Sequence, residues 1–130
     1  MSVTTLKVHD LLQGSAHARG SAVLVDRLWP RGVAKSDLAH DLWLREVAPS
    51  PDLRRWFGHD PQRFEEFSRR YREELDEGNA EVDRLVEMVR AGDVCLLYAA
   101  RDREHNHAAV LAEWLNDAAR LAPGDTETVE

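Results

Sequence analysis

The chain has one cysteine, Cys95, among 130 residues, so an intramolecular disulfide is impossible. Cys95 sits inside an apolar run, where a free thiol behaves as a small hydrophobe. A nucleophilic thiol needs an electropositive, accessible setting instead. No stretch approaches the ~20 apolar residues of a membrane span, and no apolar segment follows the first charges as in a secretory signal. The expectation is a cytoplasmic protein with no membrane partner. Internal repeats and low-complexity linkers are absent. So are a glycine-rich nucleotide loop, a G-x-S-x-G elbow and a paired-cysteine zinc site. Those absences remove the Rossmann, P-loop and serine-hydrolase classes, and no cofactor is expected. Positive charge is also in deficit, with a net charge of −7. Binding along a phosphate backbone needs a basic face, so nucleic acid is not an expected partner.

What is present suits a folded core. Hydrophobic residues make up 43% and charged residues 32%, a balance foreign to disordered chains. The length fits one domain. Residues 1–121 are expected to form it. Residues 122–130, rich in Pro, Gly, Thr and Glu, read as a solvated tail.

Two runs are continuously apolar, Ala22-Val23-Leu24-Val25 and residues 94–100. Unbroken apolarity marks central strands covered on both faces. Residues 5–8 form a weaker strand candidate at an edge, and 42–47 is either a short strand or a bent segment carrying Trp43. Helices are clearer. Asp60-Pro61 opens one bearing Phe64, Phe67, Tyr71 and Leu75, which stops at Gly78. Asn79 opens a second with Val82, Leu85, Val86 and Val89, ended by Gly92. A last helix is expected from about residues 103–105, with Ala108, Leu111, Leu115 and Ala118 inward. Short helical pieces are expected from Ser36 and over 51–56. The fold class is therefore α/β: a small, mostly parallel sheet with helices packed on its faces, a single domain of three-layer type.

Both strong strands end in charged residues, Asp26-Arg27 and Arg101-Asp102. Ligands favour the carboxyl ends of such strands, so the working site is expected there. In Asp26-Arg27-Leu28-Trp29-Pro30-Arg31-Gly32, two arginines on a rigid turn suit carboxylate or phosphate, and Trp29 can stack on a ring. The plainer reading is an Asp–Arg pair tying the loop down. The second stretch runs from Tyr98 to Ala108. It carries Arg101 to neutralise charge, His105 and His107 as acid or base, and Asp102 or Asn106 to position a ring. The plainer reading is helix capping by Asp102 or Asn106. Two histidines at i, i+2 fit one face of an extended segment, yet zinc wants three or four ligands, so no metal is expected. The third stretch, residues 49–61, holds Trp56, Phe57, His59 and Arg54. Phe57 reads as a staple for the helix entry; His59 and Arg54 are the better candidates for reaching the site. Arg69, Arg70 and Arg72 lie at helical spacing from Glu65, Glu66, Glu73 and Asp76, a solvated face from which Arg70 departs toward Tyr71.

Three blocks carry a resemblance: V-L-V-D-R-L-W-P-R-G at 23–32, A-P-S-P-D-L-R-R-W-F-G-H-D-P at 48–61, and L-L-Y-A-A-R-D-R-E-H-N-H-A-A-V-L at 96–111. Together they resemble the DUF488 family, in its short YeaO-like branch, over about residues 5–116. The resemblance implies the fold and the place of the site and supplies no activity. Other members of the wider family resemble C-x-E…C-H-R around this turn, whereas this chain has Tyr98-Ala99-Ala100-Arg101 and His105-Asn106-His107. Strand, turn and helix are also similar to phosphatase and rhodanese loops, which need a cysteine at the strand end. Ala99 and Ala100 cannot supply one, and Cys95 lies too early.

The leading expectation is a pocket for a small anionic, phosphate-bearing ligand. Asp26, Arg27, Trp29, Arg31, Trp56, His59, Tyr98, Arg101 and Asn106 would bind it, and Asp102, His105 and His107 would act on it. The alternatives are a non-catalytic sensing or interaction module and a single-stranded nucleic-acid accessory protein. In the last, Trp29 and Trp56 would stack on bases.

Overall fold

In the computed structural model, which describes residues 2–120, four parallel strands form one sheet. They are β1 Val3–Lys7, β2 Ser21–Leu24, β3 Leu42–Trp43 and β4 Val94–Tyr98, in the order β1-β4-β2-β3. The helices are α1 Val8–Gln13, α2 Pro51–Phe57, α3 Phe64–Glu77, α4 Ala80–Ala91 and α5 His107–Arg120. β2 and β4 take the centre because they are the runs that stay apolar on both faces. Val23 pairs with Leu96, and Leu24 with Leu97.

Alternation along these strands feeds two cores. Val23, Val25, Val94, Leu96 and Tyr98 face the larger one, under α2, α3, α4 and α5. Ala22, Leu24, Cys95 and Leu97 face the smaller one. Among the described residues α1, Ala18 and the segment 29–43 cover that side, through side chains such as Val8, Leu11, Leu38, Trp29 and Val33. The three layers are thus lopsided. Each buried Leu, Val or Phe contributes about 1.5–3 kcal/mol, so most of the stability lies on the four-helix side.

The helix signals act as local chemistry requires. Ser50 accepts from the Leu53 amide at 3.2 Å and Pro51 follows at the first position of α2. Asn79 accepts from the Val82 amide at 2.9 Å to start α4 directly after α3. On α3, Phe67, Tyr71 and Leu75 are buried, and the Tyr71 hydroxyl donates to the Val47 carbonyl.

Several boundaries depart from the sequence reading. β1 ends at Lys7, and Val8 begins α1, a helix the apolar pattern did not announce. Residues 42–47 divide into β3 and a 3-10 turn, Arg45–Val47. The piece at Ser36 is a turn closed by the Asp37 amide on the Ala34 carbonyl, not a helix. Asp60 caps a 3-10 turn, Pro61–Arg63, and α3 starts only at Phe64. α5 starts at His107 rather than near 103–105. Asp102 accepts from the amides of Glu104 and His105 in a turn of its own, and Asn106 accepts from the Ala109 amide. Ala119, not Ala118, is then the buried alanine of its last turns. β4 ends at Tyr98 because the Ala99 amide leaves the ladder for a side chain, Asp26. The proposed tail at 122–130 lies outside the described residues.

One glycine is required by a close approach. Gly20 has φ +81°, and a Cβ there would lie 2.1 Å from the Asp93 carbonyl oxygen, where the chain enters β2 beside the start of β4. Gly20→Ala is expected to lower stability by about 2 kcal/mol or more, read as a lower urea midpoint at unchanged m. An unchanged midpoint would contradict this packing.

Candidate functional site

The carboxyl ends of β2 and β4 are joined by a side chain. One Asp26 oxygen, Oδ2, accepts from the Ala99 amide at 3.0 Å, and the Asp26 carbonyl accepts from Trp43 Nε1 at 2.7 Å. His107, the first residue of α5, reaches the same point. Its Nε2 lies 3.0 Å from the Val25 carbonyl and 3.3 Å from Asp26 Oδ1. A carbonyl only accepts, so Nε2 carries the proton and Nδ1 is the bare nitrogen. Asp26 Oδ1 is buried and has no well-aligned donor among the described residues. Both side chains are largely enclosed, 15% exposed for Asp26 and 16% for His107.

Burial sets the protonation of this pair. It pushes the Asp26 carboxyl above the ordinary carboxylate value, against the pull of His107 and the Ala99 amide. It also holds the His107 imidazole below 6.5, against the pull of Asp26. Each group is driven toward its neutral form by loss of water.

Above the pair is a cleft of about 260 Å³. It is lined by Asp26 and His107, by Ala99 and Ala100 after β4, by residues 27–31 after β2, and by Arg54 and His59. Arg31 and Arg54 are exposed, and their side chains make no ion pair or hydrogen bond among the described residues. His59 is held at φ 57°, after Gly58 at φ 55°. A histidine tolerates the left-handed region better than most residues, but the conformation is uncommon and fixes the ring's position on the rim.

The other expected site residues are divided among several places. Arg27 lines the cleft, yet its guanidinium is turned to the backbone, donating to the carbonyls of Pro49 and Ala48 and pairing with Glu46. Trp29 donates to the Val33 carbonyl and packs edge-on against Trp43 and His40. Tyr98 is buried in the larger core, and burial raises its hydroxyl above 10.0. Asn106 is buried as a cap: Oδ1 accepts from Ala109, and Nδ2 donates to the Asp102 carbonyl. Trp56 lies under the guanidinium groups of Arg70 and Arg63, outside the cleft. Arg101 belongs to an adjoining groove.

Asp102 and His105 are together, but elsewhere. His105 Nδ1 lies 2.9 Å from Asp102 Oδ2, and the ring meets Phe64 edge-on in a groove between α3 and α5. The amides of His105 and Glu104 hold the Asp102 carboxyl down to about 2. Of the three residues expected to be catalytic, only His107 faces the cleft. Among the described residues no three His, Cys, Asp or Glu side chains are grouped to hold a metal ion. The sequence reading missed that Asp26 partners His107. Both sit at the ends of apolar runs, but nothing in the spacing links positions 81 residues apart (107 minus 26).

Fold and site together define a small parallel α/β domain with a cationic cleft at the carboxyl edge of its sheet. The chain belongs to the DUF488 family. Residues 3–129 match the family model described as "Inactive DUF488-N3 subclade". It is 39% identical over 115 residues to the uncharacterized protein YeaO of Escherichia coli, covering 88% of this chain and 97% of the relative. It is 44% identical over 97 residues to the uncharacterized protein Rv3073c of Mycobacterium tuberculosis, covering 75% and 81% respectively. No solved structure matches. Among the described residues no helix is long and apolar enough to cross a membrane.

The buried pair has a pH signature. A histidine with a depressed folded pKa adds stability that is complete above its unfolded value of about 6.5 and is lost as pH falls through the folded one. Asp26, raised, acts oppositely: its contribution is complete below about 3.8 and fades as pH rises through the raised value. The His107 ring is therefore expected to titrate below 6.5 in an NMR series, and lower still in Asp26→Asn, where burial stays and the carboxylate is gone. A His107 that titrates at or above 6.5 would overturn this picture.

Proposed function

We propose that the cleft binds a small anionic molecule bearing a phosphate or a similar group, and does so without turning it over. The observation that carries this reading is the pair of exposed arginines, Arg31 and Arg54, which line the cleft and whose side chains make no ion pair or hydrogen bond among the described residues. The chain's net charge is −7, and elsewhere Arg55, Arg69, Arg70, Arg72 and Arg103 are matched with carboxylates. Two unmatched guanidinium groups beside one concave surface favour an anion. The small side chains of Ala99 and Ala100 allow it to come close to the backbone.

Binding without turnover is the stronger half of the choice. His105 faces another groove with Asp102 bound to its ring, the alanines at the strand end offer no nucleophile, and the matching family model carries the word "Inactive". Acid–base chemistry at His107 is the second reading, favoured by a neutral ring whose Nδ1 has no protein partner among the described residues. A single-strand clamp is weaker. Trp29 packs against other rings and Trp56 is covered by arginines, so no stacking platform is open.

Titration with inorganic phosphate is expected to shift backbone amide resonances at 26–31, 54, 59 and 99–100. Arg54→Ala is expected to weaken binding about tenfold, one charge-assisted contact of about 1.4 kcal/mol. Affinity should fall with added salt. Phosphate that perturbs none of these amides would end the reading, and release of product from a phosphate ester, lost in His107→Gln, would replace it with the acid–base one.

A further inference from the structure

The cleft is not closed on the side of Arg31. Pro30, Arg31 and Ala99 also line a second concavity, a groove of about 560 Å³. Its far side is built by the end of β1 and the start of α1, with Lys7, His9 and Leu12, and by Arg101 after β4. Lys7 Nζ donates to the Arg101 carbonyl at 3.1 Å, which ties the two strand ends together. The Arg101 side chain is exposed and has no partner among the described residues. The neighbouring Arg103 is different, because two hydrogen bonds to Asp10 hold it away as a matched pair. Among the described residues no carboxylate lines the groove, and the only one lining the cleft is the enclosed Asp26.

We infer that cleft and groove are two compartments of one site, for an elongated ligand with an anionic group at each end and an apolar or planar middle: an organic bisphosphate, of which a nucleoside 3′,5′-bisphosphate is the simplest form. This rests on the anion-binding reading above. Three observations carry it further. First, the two concavities adjoin, sharing Pro30, Arg31 and Ala99, and the cleft of about 260 Å³ alone is smaller than the about 300–1,000 Å³ of ordinary small-molecule sites. Second, cations stand at both ends, Arg54 in the cleft and Arg101 with Lys7 in the groove, while Arg31 stands on the shared wall. Third, Leu28 and Leu12 are the exposed large apolar side chains of the described residues, at 66% and 39%. One lines each compartment, so each offers apolar surface beside its cations. A monophosphate would satisfy one end and leave the other cations solvated.

The test is isothermal titration calorimetry at fixed ionic strength with three probes: inorganic phosphate, adenosine 5′-monophosphate and adenosine 3′,5′-bisphosphate. The bisphosphate is expected to bind at least tenfold more tightly than the monophosphate. Arg101→Ala is expected to remove that advantage and leave inorganic phosphate unchanged, whereas Arg54→Ala weakens all three. If phosphate binds and depends on Arg54, but the bisphosphate gains nothing or Arg101→Ala leaves its gain intact, the second compartment is wrong and the single cleft stands. If phosphate does not bind at all, both readings fall together. A single-stranded oligonucleotide whose affinity grows with length beyond that of the bisphosphate would also overturn the proposal, in favour of a polymer.

Discussion

Everything at the working edge of this protein depends on one buried carboxylate. Asp26 follows β2, yet it takes the first amide after β4, and its carbonyl holds Trp43 beside β3. Removing a carboxylate from water costs several kcal/mol unless neighbours compensate. The compensation comes from the Ala99 amide and from His107, which starts α5. One acid thereby sets where β4 stops and where the last helix is anchored, and it shapes the floor of the cleft. The same burial that makes the arrangement costly drives both partners toward neutrality.

Most arginines elsewhere among the described residues are paired with carboxylates, though Arg84 on α4 has no ion pair and Arg45 lies over the Trp43 ring. On α3 the arginines lie against Glu66 and Glu73 one turn away, in geometry that any exposed helix adopts. Such pairs are each worth little, but they cancel charge. Arg31 and Arg101 lie in loops that offer no such periodicity, Arg54 lies on the short helix α2, and none of the three side chains has an ion pair among the described residues. The contrast is positional, and neither net charge nor composition contains it.

The sequence was most legible where one short-range rule governs. Continuous apolarity identified β2 and β4, and Asn79, Gly78 and Gly92 marked the ends of α3 and α4, because capping and burial are local. It was least legible where a residue had two competing uses. Asp102 has the composition of a catalytic orienter and serves to fold a turn. Asn106 looks available and is consumed by α5. Arg27 suits an anion and instead fastens residues 46–49. Val8 continues an apolar strand pattern and begins a helix, since a single buried valine satisfies either period. The Asp26–His107 contact could not be seen at all, because sequence spacing says nothing of two elements that meet only after the sheet has formed.

The strand order has a consequence for how the molecule is made. β4 is the fourth strand along the chain but lies between β1 and β2, and it is the sole link between them. Until residues 94–98 have emerged from the ribosome, the sheet consists only of the two-residue pairing between β2 and β3. The cleft needs residues 26–31, 54–59 and 99–107 together. It is therefore assembled last and all at once, and no chain ending before residue 99 holds more than part of its lining.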